Sequence, residues 1–202
     1  MVSLYLKSFM AGVCISIGCV AYIAVGGGTL GAFLFSIGLL SICAFSFALF
    51  TGKVCYVKLT KQSIFDVIFV LLVNMLGTLL MGFLIRLSLP KMIDMAQFMC
   101  DKKLSEEFHV IPLGFLCNIM IFFAVYAWKE VYTNNTVRVL ILVLCVMVFI
   151  LCGFEHSIAN SFYMTVSGYI TKPIAWGYLG LNVLGNAIGG IVTFSIVNGS
   201  LK

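Results

Sequence analysis

Glu155 and His156 stand side by side within Cys152-Gly153-Phe154-Glu155-His156-Ser157-Ile158-Ala159-Asn160, flanked by almost purely apolar sequence over residues 137–151 and 162–166. Ionisable side chains at membrane depth cost free energy, and where they occur they mark a cavity or a solute path. A carboxylate beside an imidazole can hold or move a proton. With a reference pKa of about 6.5, the ring of His156 can supply or relay a proton, or attract an anion when charged. Gly153 offers a place for a helix to break, and Ser157 and Asn160 can re-satisfy the backbone groups that a break frees. A histidine hydrogen-bonded inside a helix bundle is the purely structural alternative.

The elements that position this pair must be membrane helices. Of 202 residues, 62% are hydrophobic and 9% are charged, more apolar surface than a soluble domain can bury. One crossing takes about 20 residues, and six can be drawn: residues 4–25, 30–47, 64–87 and 110–128, a broken fifth through the Glu155-His156 segment, and 177–197. A polar loop is expected between the third and fourth, and the first reads as an uncleaved signal anchor. The net charge of +5 is dispersed over loops, so nucleic acid is not the expected partner. Cysteines 14, 19, 43, 55, 100, 117, 145 and 152 show no CxxC pairing, and they read as packing residues rather than a disulfide or metal framework.

Lysine and arginine set the expected orientation. With the N-terminus inside, Lys7, Lys53, Lys58, Lys61, Lys129, Arg138 and Lys202 are cytoplasmic, against Arg86, Lys91, Lys102, Lys103 and Lys172 outside. Both termini are therefore expected in the cytoplasm. Trp128 and Trp176 read as interfacial anchors, and His109, beside Glu106 and Glu107, as an interfacial side chain.

The chain also matches itself. Gly12 and Tyr22 in the first helix correspond to Gly114 and Tyr126 in the fourth, and Leu49-Phe50-Thr51-Gly52 interrupts the second as Phe154-Glu155-His156-Ser157 interrupts the fifth. Asn74-x-x-Gly77 in the third recurs as Asn186-x-x-Gly189 in the sixth. Three crossings per half place the second copy upside down, over about residues 4–88 and 107–198 of a single 1–202 channel domain. Inverted repeats with matching interrupted helices point to a transport site at the bilayer midplane. Close packing and interhelical hydrogen bonds account for Asn74 and Asn186.

Gly153-Phe154-Glu155-His156-Ser157-Ile158-Ala159-Asn160 resembles the signature of the formate/nitrite transporter family, which includes hydrosulfide channels. The segments Ala11–Gly18, Leu49–Gly52, Cys117-Asn118 and Gly185–Gly190 follow in family order. The resemblance implies an all-α membrane protein of six transmembrane helices in an aquaporin-like inverted 3+3 repeat, helices two and five interrupted, assembled as a homopentamer in the bacterial cytoplasmic membrane. It implies a central pore histidine at His156 with Thr51 as its partner, and Asn118 lining the cytoplasmic vestibule. It implies an inner constriction of Leu39, Leu49 and Phe50 with Ile121 nearby, and an outer one of Phe35 and Phe149. The resemblance further implies an anion-drawing lysine just before the fourth helix: spacing from Asn118 favours Lys102, and spacing to Phe108 favours Lys103.

The chain departs from the family pattern at several positions. An amphipathic N-terminal helix is expected to be absent, which leaves Glu155 without the lysine that usually partners it. Ala48 stands where an acid is usual, Lys53 where a small polar residue is common, and Leu181-Asn182-Val183 replaces Pro-Val-Thr.

A channel for small monovalent anions follows, formate and nitrite ahead of hydrosulfide, with protons accompanying weak acids that cross neutral. A pore for water or another small neutral solute is the alternative. A membrane enzyme using Glu155 and His156 lacks a second catalytic cluster, a nucleotide motif and metal-ligand spacing, so no enzymatic activity and no cofactor are expected. The Thr51 hydroxyl can contact substrate or the His156 ring, or simply cap a broken helix.

Overall fold

A computed structural model describes residues 2–105, 109–131 and 134–200. Glu106, Glu107, Phe108 and Lys202, invoked above, lie outside them. Among the described residues the chain forms nine α-helices and no strand: α1 Val2–Ala24, α2 Gly28–Ala44, α3 Phe50–Lys53, α4 Lys61–Ser88, α5 Ile93–Ser105, α6 Val110–Tyr126, α7 Asn135–Leu151, α8 Ser157–Ser167 and α9 Pro173–Ser200. Segments within α1, α4, α6 and α9 are long and apolar enough to cross a membrane, whereas α2 and α7 are shorter apolar helices. The protein is a multi-pass membrane protein.

Local chemistry sets the helix starts. Thr60 caps α4 by accepting from the Ser63 N–H at 3.3 Å, and Asn134 caps α7 by accepting from Thr136 and Val137 N–H at 2.8 and 3.3 Å. Pro173 opens α9 at a position where its missing N–H costs nothing, so this helix begins four residues before the expected 177. The expected polar loop after α4 is instead a 3₁₀ turn, Pro90–Met92, followed by α5. All eight cysteines are free thiols.

The breaks in α2 and α7 are built alike. After α7, Gly153 takes φ 70°, its N–H bonds the Ile150 carbonyl at 3.1 Å, and the Phe154 N–H bonds Phe149 O at 2.9 Å. That is a Schellman end, with a left-handed residue that glycine adopts without strain. After α2, Ser46 takes φ 54°, with bonds from Ser46 N to Cys43 O at 3.3 Å and Phe47 N to Ile42 O at 2.9 Å. Helix two therefore breaks over residues 45–49, ahead of the expected Leu49–Gly52, and Gly52 lies inside α3.

Each break is then tied to its own half by an asparagine. The Asn74 Oδ1 accepts from the Phe50 N–H at 2.7 Å, and its Nδ2 donates to Ser8 O at 2.7 Å and Ala48 O at 2.9 Å. The Asn186 Oδ1 accepts from the Ser157 N–H at 2.9 Å, and its Nδ2 donates to Gly114 O and Glu155 O at 2.8 Å each. Both asparagines are fully buried. The glycine one turn on seats α4 and α9 against their partners: a Cβ at Gly77 would lie 2.5 Å from Phe9 O, and one at Gly189 2.3 Å from Phe115 O. Packing then crosses between halves, α8 lying against α4 and α3 against α6.

Asn186→Leu leaves the buried Ser157 N–H unsatisfied, at about 1–3 kcal/mol, and removes one of two donors from the Glu155 carbonyl. It should lower stability by at least about 1 kcal/mol, read as a lower midpoint of unfolding in detergent.

Candidate functional site

Two cavities occupy opposite ends of the bundle. One, of about 800 Å³, is lined by Lys7 of α1, Leu39 of α2, Ala48, Leu49, Lys53, Lys129 just beyond α6, and Arg138 in the first turn of α7. The other, of about 630 Å³, is lined by Tyr22, Phe35, Lys102, Lys103, His109, Phe149, Glu155, His156 and Tyr163. Four of the cations expected inside, Lys7, Lys53, Lys129 and Arg138, thus line one cavity, and the two expected before the fourth helix, Lys102 and Lys103, line the other. Trp128 lines the first cavity rather than standing as a lipid anchor alone, and Trp176 donates to Ile170 O at 2.9 Å.

A collar of apolar side chains lies between the cavities. Leu39 and Leu49 face the first; Phe35 and Phe149 face the second, edge to face with centroids 5.9 Å apart. Phe35 and Leu39 sit four residues apart on α2, about 6 Å of helix rise, so the separation is about one turn thick. Phe50 and Ile121 are buried beside it and line neither cavity.

His156 closes the collar. Its side chain caps α8, Nδ1 accepting from the Ala159 N–H at 3.1 Å, while Nε2 lies 3.1 Å from the Thr51 Oγ1. Phe149 stacks on its ring at 5.9 Å and 22°. With Nδ1 used as an acceptor, the neutral ring carries its proton on Nε2 and donates to Thr51, freeing the Thr51 hydroxyl proton for another acceptor. Protonating Nδ1 would turn it against the Ala159 N–H and undo the cap.

Thr51 is positioned through its backbone. Its carbonyl accepts from the Asn118 Nδ2 at 3.0 Å and the Cys55 thiol at 3.3 Å. Asn118, expected in the cytoplasmic vestibule, is fully buried, bonded to the Thr51 carbonyl, and lines neither of these two cavities. Its Oδ1 and the Ser157 Oγ have no hydrogen-bond partner among the described residues.

Glu155, for which the sequence offered no counterpart, has one. The Lys103 Nζ lies 2.7 Å from each carboxylate oxygen, so Lys103 reaches the buried acid while Lys102 remains exposed in the same cavity. The Asn160 Nδ2 donates to Glu155 Oε2 at 2.6 Å and to the Asn182 Oδ1 at 2.7 Å, and the Asn182 Nδ2 donates to Glu155 O at 2.8 Å. Asn182, one turn before Asn186 on the same face of α9, is the member of this cluster that the sequence showed only as a departure from the family pattern; the four-residue spacing of the two asparagines is the signal for its role. Helix α5, which delivers Lys103, is pinned at Asp101 by the hydroxyl of Tyr169 in the turn after α8. That bond raises the Tyr169 phenol above its ordinary pKa.

Breaks and cavities define a multi-pass membrane protein with a cavity at each end of its helix bundle. The sequence profile of the formate/nitrite transporter family matches residues 1–199. The chain belongs to that family. It is 32% identical over 195 residues to the formate channel FocA of Escherichia coli K12, covering 82% of this chain and 66% of that one. It is 24% identical over 241 residues to the FocA of Haemophilus influenzae, covering 95% and 84%. Its fold is that of a solved pentameric formate channel with formate bound, at a TM-score of 0.86 and 23% identity over 98% of this chain and 96% of that one.

Removing Lys103 alone leaves a buried, unpaired carboxylate, a loss of about 3–5 kcal/mol for pairs of this kind. Lys103→Gln should therefore unfold at a clearly lower temperature than wild type, and Lys103→Gln with Glu155→Gln should recover most of the difference.

Proposed function

We propose that the protein is a channel for small monovalent anions, formate and nitrite foremost, with His156 and Thr51 at the centre of its path. The observation that carries this is the His156–Thr51 pair, 3.1 Å apart and set in a one-turn apolar collar between two lysine-bearing cavities. We assign six crossings, with α2 and α7 each counted together with the short helix that follows it, in two inverted repeats within one domain. The matched hydrogen bonds of Asn74 and Asn186 support that repeat. Both termini are assigned to the cytoplasmic side of a bacterial membrane, the first cavity opening inward. A homopentamer is proposed by kinship with the pentameric formate channel.

The passage follows from the chemistry of the collar. Lysines in the vestibules raise the local anion concentration. A bare charge in the apolar collar costs several kcal/mol, whereas a weak acid that takes a proton in the vestibule crosses neutral. At the centre the Thr51 hydroxyl donates to the passing oxygen, and the ring of His156 fixes its direction. His156 acts here as a neutral donor, so the proton travelling with the acid comes from the vestibule water.

Stopped-flow uptake into proteoliposomes, with formate, nitrite and hydrosulfide side by side, tests the function. Formate flux well above that of empty vesicles is expected, with a proton accompanying each formate, and water or urea flux without formate flux marks a neutral-solute pore. No flux of any of the three overturns the proposal. A hydrogen bond between neutral groups contributes about 0.5–1.5 kcal/mol, or about 2- to 10-fold in rate. His156→Phe should lose flux by that factor, and Thr51→Ala by less, because the Nε2–H can then reach the solute directly. Wild-type-like flux of His156→Phe across pH 5–8 removes the histidine from the mechanism.

A further inference from the structure

The turn that leads into α4 carries the most exposed large apolar side chain among the described residues. Leu59 is 97% exposed, and it stands between Lys58 and Lys61, both exposed as well. The turn is tied down at every step. The Lys58 N–H donates to the Ser63 Oγ at 3.0 Å, and the Thr60 N–H donates to Lys58 O at 2.8 Å. The second bond spans three residues, a γ-turn centred on Leu59. Thr60 then caps α4 through the Ser63 N–H, so the backbone holds the leucine outward while both its neighbours are fixed to the first turn of the helix.

The length of α4 sets the depth of this turn. Its 28 residues rise about 42 Å, against about 40–45 Å for a bilayer with both headgroup layers. The first turn of α4 therefore lies among the headgroups of one leaflet. Further along, Phe65, Ile68, Leu72, Leu76 and Leu80 are exposed at intervals of three or four residues, which is one face of a helix. Lys61 stands one turn before Phe65 on that face. Acyl chains that cover the stripe thus end at Lys61, with Lys58 held to the same turn. Neither lysine forms an ion pair among the described residues, and Asp66, the acid of this stretch, accepts from the Gln62 Nε2 at 2.7 Å.

We infer that the turn over residues 58–61 is a binding site for an anionic phospholipid, whose headgroup phosphate is taken by Lys58 and Lys61 while Leu59 enters the apolar boundary beside it. Lysine suits this place because its stem lies along apolar surface while its ammonium reaches the headgroup. Near an anionic leaflet each lysine contributes about fivefold in affinity, so the pair contributes about 30-fold. A fully buried leucine contributes about 10- to 150-fold for a lipid of any headgroup. The lysines therefore select the headgroup and the leucine does not. A protein partner fits less well, because one leucine between two charges falls far short of the roughly 1,000 Å² that a specific protein interface buries. The site is independent of which solute the channel carries.

The test is titration of phosphatidylglycerol, or phosphatidylcholine with the same acyl chains, into the full-length protein in a neutral detergent, read as the rise in its unfolding midpoint. Phosphatidylglycerol should raise the midpoint at a concentration about 30-fold below that of phosphatidylcholine. Lys58→Gln with Lys61→Gln should remove that preference, whereas Lys58→Arg with Lys61→Arg should keep it. Lys91→Gln, beyond the other end of α4, should also keep it. Leu59→Ser should weaken both lipids by the same factor and leave their ratio unchanged. Equal effects of the two lipids on the wild type, or a preference that survives the double glutamine variant, overturns the site. So does a midpoint rise of the same size with inorganic phosphate alone, which would mark an anion site without a lipid. A change in subunit number of the double glutamine variant in lipid-free detergent would assign the turn to a contact between chains and overturn the lipid site as well.

Discussion

Opening a helix at membrane depth frees backbone N–H and C=O groups that no water there can satisfy, and every feature of this site depends on how that is solved. Asn74 and Asn186 solve it in the same way. Each amide takes the first N–H of a short helix and returns two hydrogens, one to a carbonyl of the break and one to a carbonyl of α1 or α6. The side chains at the start of α3 and α8 are thereby fixed where the two halves meet. Thr51 and His156 touch because these two buried amides hold their backbones.

The two breaks carry different chemistry on the same scaffold. In the second half the extra groups are satisfied by an acid, with Glu155 bonded by Lys103 and Asn160 at its carboxylate and by Asn182 and Asn186 at its carbonyl. In the first half the acid is gone, and Lys53 faces an open cavity. His156 belongs to neither charge system. Its Nδ1 is committed to the Ala159 N–H, which leaves Nε2–H as the single donor directed at Thr51. In the proposed pathway a weak acid therefore meets a hydrogen-bonding centre and not a fixed charge, consistent with a collar lined by Phe35, Leu39, Leu49 and Phe149.

Much of this was legible in the sequence, for physical reasons that vary from residue to residue. Glu155 and His156 stood out because ionisable groups are rare in apolar runs, and the break before them because Gly153 marks a left-handed helix end. The equivalent break after α2 was misplaced toward Gly52 because its left-handed residue is Ser46, and a serine carries no compositional signal for that conformation. The Asn-x-x-Gly pairs were legible as close-packing motifs, but that each asparagine stitches a break is a tertiary fact. The partner of Glu155 was hidden because Lys103 lies 52 residues away on α5, a helix polar enough to read as a loop. For Asn118, spacing gives a helix face but not its bond to the Thr51 carbonyl, which is a tertiary contact.

The protonation of His156 is the most direct test. The chain has two histidines, so a His109→Gln variant labelled with ¹⁵N at its ring nitrogens and reconstituted in lipid isolates one ring for solid-state NMR. A neutral ring protonated at Nε2, with Nδ1 an acceptor throughout pH 5–8, is the predicted spectrum. An imidazolium in that range, or the proton on Nδ1, would contradict the capped, neutral histidine on which the account rests.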